Sequence, residues 1–276
     1  MEQRYYIILT DNFQGDIMFK KVALAAAIAA TASFATYNYF PVLDNHKGQV
    51  TIGEADVFQD KSTVGILYVK GRYTVIPNLE LGLDIPFVVV NYWDGDDTEH
   101  TGLDNITLMG RYQFMPTMNA FLDFALPTCN DDICGDDDHF TFHFGAQYSQ
   151  KFGMIDFGSE LGLALETKGK DKATPPWTLN LGLEGDFLVS QMFVPYVGLD
   201  LGMLLGKYTD DGEDGDKSYT GKFGIAPFLG ANINFNQMFT LGLGLNFLVG
   251  GKDYLVVKTG RDEVKTTFDI HLDINF

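Results

Sequence analysis

The stretch TTFDIHLDINF, residues 266–276, alternates without a break. Phe268, Ile270, Leu272, Ile274 and Phe276 fall on one side, and Asp269, His271, Asp273 and Asn275 on the other. Successive side chains of an extended strand point to opposite faces, whereas a helix repeats every 3.6 residues. The segment is therefore read as a strand with one apolar and one charged face. HFTFHFGAQ repeats the pattern: Phe140, Phe142 and Phe144 oppose His139, Thr141 and His143. In WTLNLGLEGDF, Trp177, Leu179, Leu181 and Leu183 oppose Thr178, Asn180, Gly182 and Glu184. LELGLDIPF and SELGLALE read the same way.

The connections between these strands fall into two classes that alternate along the chain. Tight turns lie at Pro77-Asn78, Met115 to Asn119, Phe152 to Met154, Ser190 to Met192 and Asn236 to Met238. Longer segments, mostly acidic, separate them: NYWDGDDTEHT, TCNDDICGDDD, TKGKDKATPP, YTDDGEDGDKS and GKDYLVVKTGRDE. Such a hairpin repeat predicts twelve strands, over 49–58, 63–75, 79–90, 103–114, 119–127, 139–151, 155–166, 177–189, 193–207, 218–235, 239–250 and 263–276. The link 59–62 belongs to the long-loop side.

A soluble sandwich also alternates, but its solvent face and edges are rich in Lys and Glu. Here the non-apolar face is rich in Gly, Thr and Asn, with few Lys, and long and short loops segregate to opposite ends. Thirty glycines and twenty-three phenylalanines suit strands and turns rather than helices. In lipid every backbone polar group must be paired internally, and for strands only a closed ring achieves this. The expected fold is all-β: a closed antiparallel up-and-down transmembrane β-barrel of about twelve strands. The formal charge of -18 excludes nucleic acid as a main partner.

On these residues the chain resembles the Gram-negative outer-membrane β-barrel superfamily. A terminal strand of alternating apolar residues ending in Phe, here Phe268, Ile270, Leu272, Ile274 and Phe276, is that group's signal to the barrel-assembly machinery. The resemblance covers the chain from about Gln49 onward and is to porin-like or transport barrels. It implies outer-membrane lipid and lipopolysaccharide as surroundings and small solutes as cargo.

The alternation assigns charges to the lumen. Lys70, Arg72, Arg111 and Lys222 are the cations. Asp84, Glu160, Glu184, Asp186, Asp200, Asp269 and Asp273 are acids, with Glu80, Asp123, Asp156 and Glu166 beside them. Two readings follow. Cations on strands two and four facing acids elsewhere would set a transverse field that tunes ion selectivity. Alternatively, Arg72 and Arg111 pair with Asp84 and stiffen the wall.

The long acidic segments offer oxygen ligands to hard cations, and Asp210, Asp214 and Asp216 are the weak candidates for a metal. Gly221 stands where an EF-hand would close with Glu, so solvated loops bridged by divalent cations to lipopolysaccharide fit better; no other cofactor is expected. Cys129 and Cys134 are expected to form a disulfide in an external loop of an exported protein. A rival class is an outer-membrane hydrolase. No Gly-x-Ser-x-Gly elbow occurs, Ser159 falls on the lipid face, and His139 and His143 with Asp137 offer either a metal site or a His/Asp dyad. A third class is a structural or adhesive barrel acting through its loops.

At the other end, MFKKVALAAAIAATASFA has a positive start at Lys20 and Lys21, an apolar stretch and a Ser33-Phe34-Ala35 cleavage site. Residues 18–35 are read as an export signal, with 1–17 an over-extended start. Residues 36–48 then form a periplasmic segment, which either hangs free or plugs the lumen, and 49–276 form the barrel.

Overall fold

The computed structural model describes residues 39–93, 100–134, 139–170, 172–209, 217–260 and 262–276. Twelve strands form one antiparallel ring. They are β1 Gly48–Gln59, β2 Ser62–Ile76, β3 Leu79–Trp93, β4 Thr107–Met115, β5 Met118–Ala125 and β6 Thr141–Phe152. β7 Ile155–Glu166, β8 Trp177–Phe187, β9 Phe193–Leu205, β10 Phe223–Asn234, β11 Phe239–Gly250 and β12 Lys265–Asn275 complete it. Each strand pairs with its sequence neighbours, and β1 pairs with both β2 and β12, so the ring closes. Closure leaves no open edge, the condition for a strand structure in lipid.

The outer face is apolar and banded. Phe58, Tyr92, Phe142, Trp177 and Phe223 are exposed at the long-loop end, and Tyr73, Tyr112, Phe152, Phe187, Phe193 and Phe235 at the tight-turn end. Exposed aliphatic side chains such as Ile52, Leu67, Val69, Leu83, Leu161 and Leu229 lie between. An apolar belt between two aromatic girdles is the outer surface of a transmembrane barrel. Among the described residues no helix is long and apolar enough to cross a membrane.

The inner face is the predicted polar one, but one sector departs from it. Towards the long-loop end, Val57, Val64, Ile66 and Val88 point inward and form a dry cluster with Ile133 and Cys134. On the same strand Glu54 points outward and is exposed. Over Glu54 to Val57, beside the folded loop, the polar residues of β1 face outward and the apolar ones inward, while Ile52 and Phe58 keep the lipid-facing sense. That loop carries a one-turn helix, α1 Asp131–Cys134, and the predicted Cys129–Cys134 disulfide is present.

Most strand limits move by one to three residues, and three departures from expectation are larger. The fourth strand begins at Thr107 rather than 103, with Gly102–Leu103 pairing separately on β3. The break is made by side-chain bonding: Asn105 Oδ1 accepts from the amides of Thr128 and Cys129, at 3.1 Å each. The tenth strand begins at Phe223 rather than 218, because Gly221 turns the chain at φ 82°. The segment after β11 contains a helix, α2 Lys252–Thr259, which ends where Gly260 adopts φ 71°. Asp253 in its first turn and Lys258 in its last complement the helix dipole.

Candidate functional site

The lumen holds the candidate site, and two elements close it. From the tight-turn side, residues 39–47 enter the barrel before β1 starts. Tyr39 is 4% exposed, and its hydroxyl donates to Asp200 Oδ1 at 2.6 Å. Gln113 Oε1 accepts from the Val42 amide and Glu80 Oε2 from the Leu43 amide, both at 3.0 Å. The described part of the expected periplasmic segment therefore plugs the lumen instead of hanging free. Glycines make the room: a Cβ on Gly182 would lie 2.5 Å from the Tyr39 ring, and one on Gly158 2.6 Å from its Cβ.

From the long-loop side α2 folds into the mouth. Tyr254 is 6% and Leu255 2% exposed, and the Tyr254 ring rests on Gly202 of β9 and Gly224 of β10. Outside, Asp253 holds Lys222 at 2.7 Å and Lys217 at 3.5 Å. The hydrogen bond from Lys222 is the main reason the Asp253 carboxyl sits below the ordinary carboxylate range. Lys222 is consequently no lumen charge. It lies exposed in the turn before β10, on the outer side of the mouth.

Between Tyr39 and Tyr254 lies a cavity of about 220 Å³. Glu160 and Asp200 line its floor, Thr178, Ala226 and Leu248 its walls, and His139, Glu166, Lys258 and Lys265 its upper end. Glu166 takes Lys258 at 3.6 Å and His139 at 3.3 Å.

The other predicted lumen charges form three groups. On β2–β4, Lys70 pairs with Asp84 at 3.6 Å, while Arg72 and Arg111 both reach Glu80, at 3.7 and 3.9 Å. Both arginines thus converge on Glu80, while Asp84 takes Lys70. The register puts Asp84 opposite Lys70 and Glu80 opposite Arg111, so each carboxylate meets the cation across from it. These cations are compensated locally, which leaves no free positive wall for the proposed transverse field. On β12, Asp269 accepts from Tyr68 and contacts His271 Nδ1, both at 2.6 Å, and Asp273 accepts from Thr51 at 2.6 Å. The third group is Glu160, Glu184, Asp186 and Asp200 on β7–β9, an acidic wall facing the Tyr39 plug.

Phe268, Ile270, Leu272 and Ile274 all stand on the outer face of β12, and Phe276 is exposed beyond its end. Asp210, Asp214, Asp216 and Asp137 lie outside the described residues. His139 and His143 are lumenal but serve different partners, since His143 contacts Glu160 at 3.5 Å and Asp123 at 3.9 Å. Ser159 lies on the other face of the wall from His139 and His143 and donates to the Tyr148 carbonyl.

Residues 31–259 match the protein family described as "Putative MetA-pathway of phenol degradation". The chain belongs to this family. Its fold is that of bacterial outer-membrane barrels. A crystal structure of an outer membrane channel from Pseudomonas putida F1 superposes with a TM-score of 0.65 at 15% identity, over 88% of this chain and 100% of that one. The NanC porin gives 0.52 at 4% identity, over 82% and 98% of the two chains. The translocator domain of the autotransporter NalP from Neisseria meningitidis gives 0.52 at 12% identity, over 92% and 99%. No curated protein matches this member of the phenol-degradation family in sequence.

Proposed function

We propose that this protein is an outer-membrane channel of porin type that takes small solutes through an occluded, selective lumen. The observation that carries this reading is the internal cavity of about 220 Å³, enclosed in a closed barrel between two tyrosine-anchored plugs. A barrel used only as an anchor has no need of such a chamber. Twelve strands enclose more space than the side chains of an eight-stranded wall fill, and less than a wide porin channel. The family's description makes aromatic compounds the first solutes to test.

Export through residues 18–35, assembly read from Phe268 to Phe276, and contact of the acidic loops with lipopolysaccharide through divalent cations belong to the same reading. Planar-bilayer recording of the refolded protein tests it. Discrete, small conductance steps are expected, larger in Tyr39→Ala, whose side chain no longer blocks the lumen. A silent wild type and a silent Tyr39→Ala would rule the channel out.

A further inference from the structure

Asn246 carries the clearest unanswered polar group in the chamber. It is 3% exposed, it lines the cavity from β11, and neither amide atom has a hydrogen-bond partner among the described residues. Thr178, 2% exposed on the opposite wall, leaves its hydroxyl unpartnered as well. Buried donors and acceptors are normally satisfied, and leaving one unmade is costly. Their neighbours are cationic. Asn246 pairs with Thr267 in the ladder, and Leu248 with Lys265, so Lys265 is the diagonal neighbour of Asn246 on the lumen face. Lys265 is 1% exposed, and Lys258 of α2 lines the same upper end.

From this arrangement, and resting on the channel reading above, we infer that the chamber is a binding site for a small organic carboxylate. Its carboxylate sits beneath α2, between Lys258, Lys265 and the Asn246 amide, and its apolar body lies against Ala226, Leu248 and the Tyr254 ring. Charge fixes this orientation. At the upper end Lys258, Lys265 and His139 gather around Glu166, whereas the floor carries Glu160 and Asp200 and no cation among the described residues. At the floor both acids are already engaged: Asp200 accepts from Tyr39, and Glu160 accepts from Gln147 at 2.7 Å. A carboxylate is therefore drawn upward and away from the floor, and a cationic or neutral analogue finds no counterpart for the lysines. An inorganic anion would satisfy the cations but leave the apolar wall uncovered. The chamber volume suits a body of one aromatic ring.

The test is calorimetric titration of the folded, full-length barrel in detergent micelles with benzoate, benzyl alcohol, benzylamine and inorganic phosphate. Benzoate is expected to bind saturably, about tenfold or more tighter than the other three, since a charge-assisted bond is worth at least that factor. Asn246→Leu and Lys258→Met are expected to weaken benzoate about tenfold and to leave benzyl alcohol unchanged. Two variants are named because the more buried Lys265 is harder to replace; heat-modifiable gel mobility confirms that each is folded. Equal binding of benzoate and benzyl alcohol, phosphate as tight as benzoate, or folded variants with undiminished benzoate affinity would each overturn the assignment. Conductance in planar bilayers is recorded on the same preparation. Conducting protein that ignores benzoate refutes the carboxylate site and leaves the channel standing, whereas benzoate binding with neither the wild type nor Tyr39→Ala conducting refutes the channel alone.

Discussion

Leu272 and Asp273 are adjacent on β12 and meet different environments. Leu272 sits on the outer face among Ile270 and Ile274, and Asp273 is 9% exposed in the lumen, bonded to Thr51. An Arg on the lipid face costs about 2–4 kcal/mol at the midplane and less towards either interface. Leu272 lies near the tight-turn end, so Leu272→Arg should lose about 2 kcal/mol, the lower end of that range. Asp273→Asn keeps the shape and weakens one charge-assisted bond, so a loss of about 1 kcal/mol is expected. Urea unfolding followed by gel mobility orders the two; the opposite order would mean that the faces of β12 are exchanged. The outward or inward sense of these residues was legible from alternation alone. Their partners were not. That Arg72 and Arg111 choose Glu80 over Asp84 depends on the register between β2, β3 and β4, which includes shifts at Gly65/Ile66 and Thr74/Ile76 that no periodicity reveals.

Strands were easier to read than what fills them. Every predicted strand is present, and 155–166 and 239–250 have the predicted limits, because period two persists to the ends. Helix α2 escaped notice because its apolar residues, Tyr254, Leu255, Val256 and Val257, are consecutive and show no helical stripe. The chamber roof, with Lys258 over Glu166, was hidden for the same reason. The mooring of α2 is electrostatic on its outer side, which gives a pH dependence of known sign. Lys222, and to a lesser degree Lys217, hold the Asp253 carboxyl below its ordinary value. A depressed carboxyl stabilises the fold above its unfolded pKa of about 3.9, and that contribution is lost as pH falls through the folded value. Hydrogen exchange in α2 should therefore speed up, relative to the strands, at the most acidic pH tested. Asp253→Asn should show the loosened helix already at neutral pH. The effect is modest, because the pair is solvated.

At the scale of the whole molecule, stability resides in the ring, and the loops are accessories folded into its mouth. The Cys129–Cys134 bridge closes a short loop and contributes about 2 kcal/mol to that loop by the chain-entropy estimate. Reduction should loosen α1 and leave the barrel's heat-modifiable mobility unchanged; unfolding of the barrel on reduction would show that the loop cluster around Val57 and Ile66 is part of the structural core. The pairing of β1 with β12 has a further consequence, for the time course of folding. Gln49 and Asn275 bond across the seam although 226 residues separate them. Contacts so distant in sequence demand a large loss of chain entropy before they return any energy, so proteins built on them fold slowly. Eleven of the twelve strands can pair with a sequence neighbour before this, yet until β12 arrives β1 keeps an unpaired edge. A translation arrest or truncation anywhere before residue 265 would leave that edge open, and an open, apolar edge invites other chains to dock on it. Escape from aggregation therefore depends on a single, late event in the life of the chain.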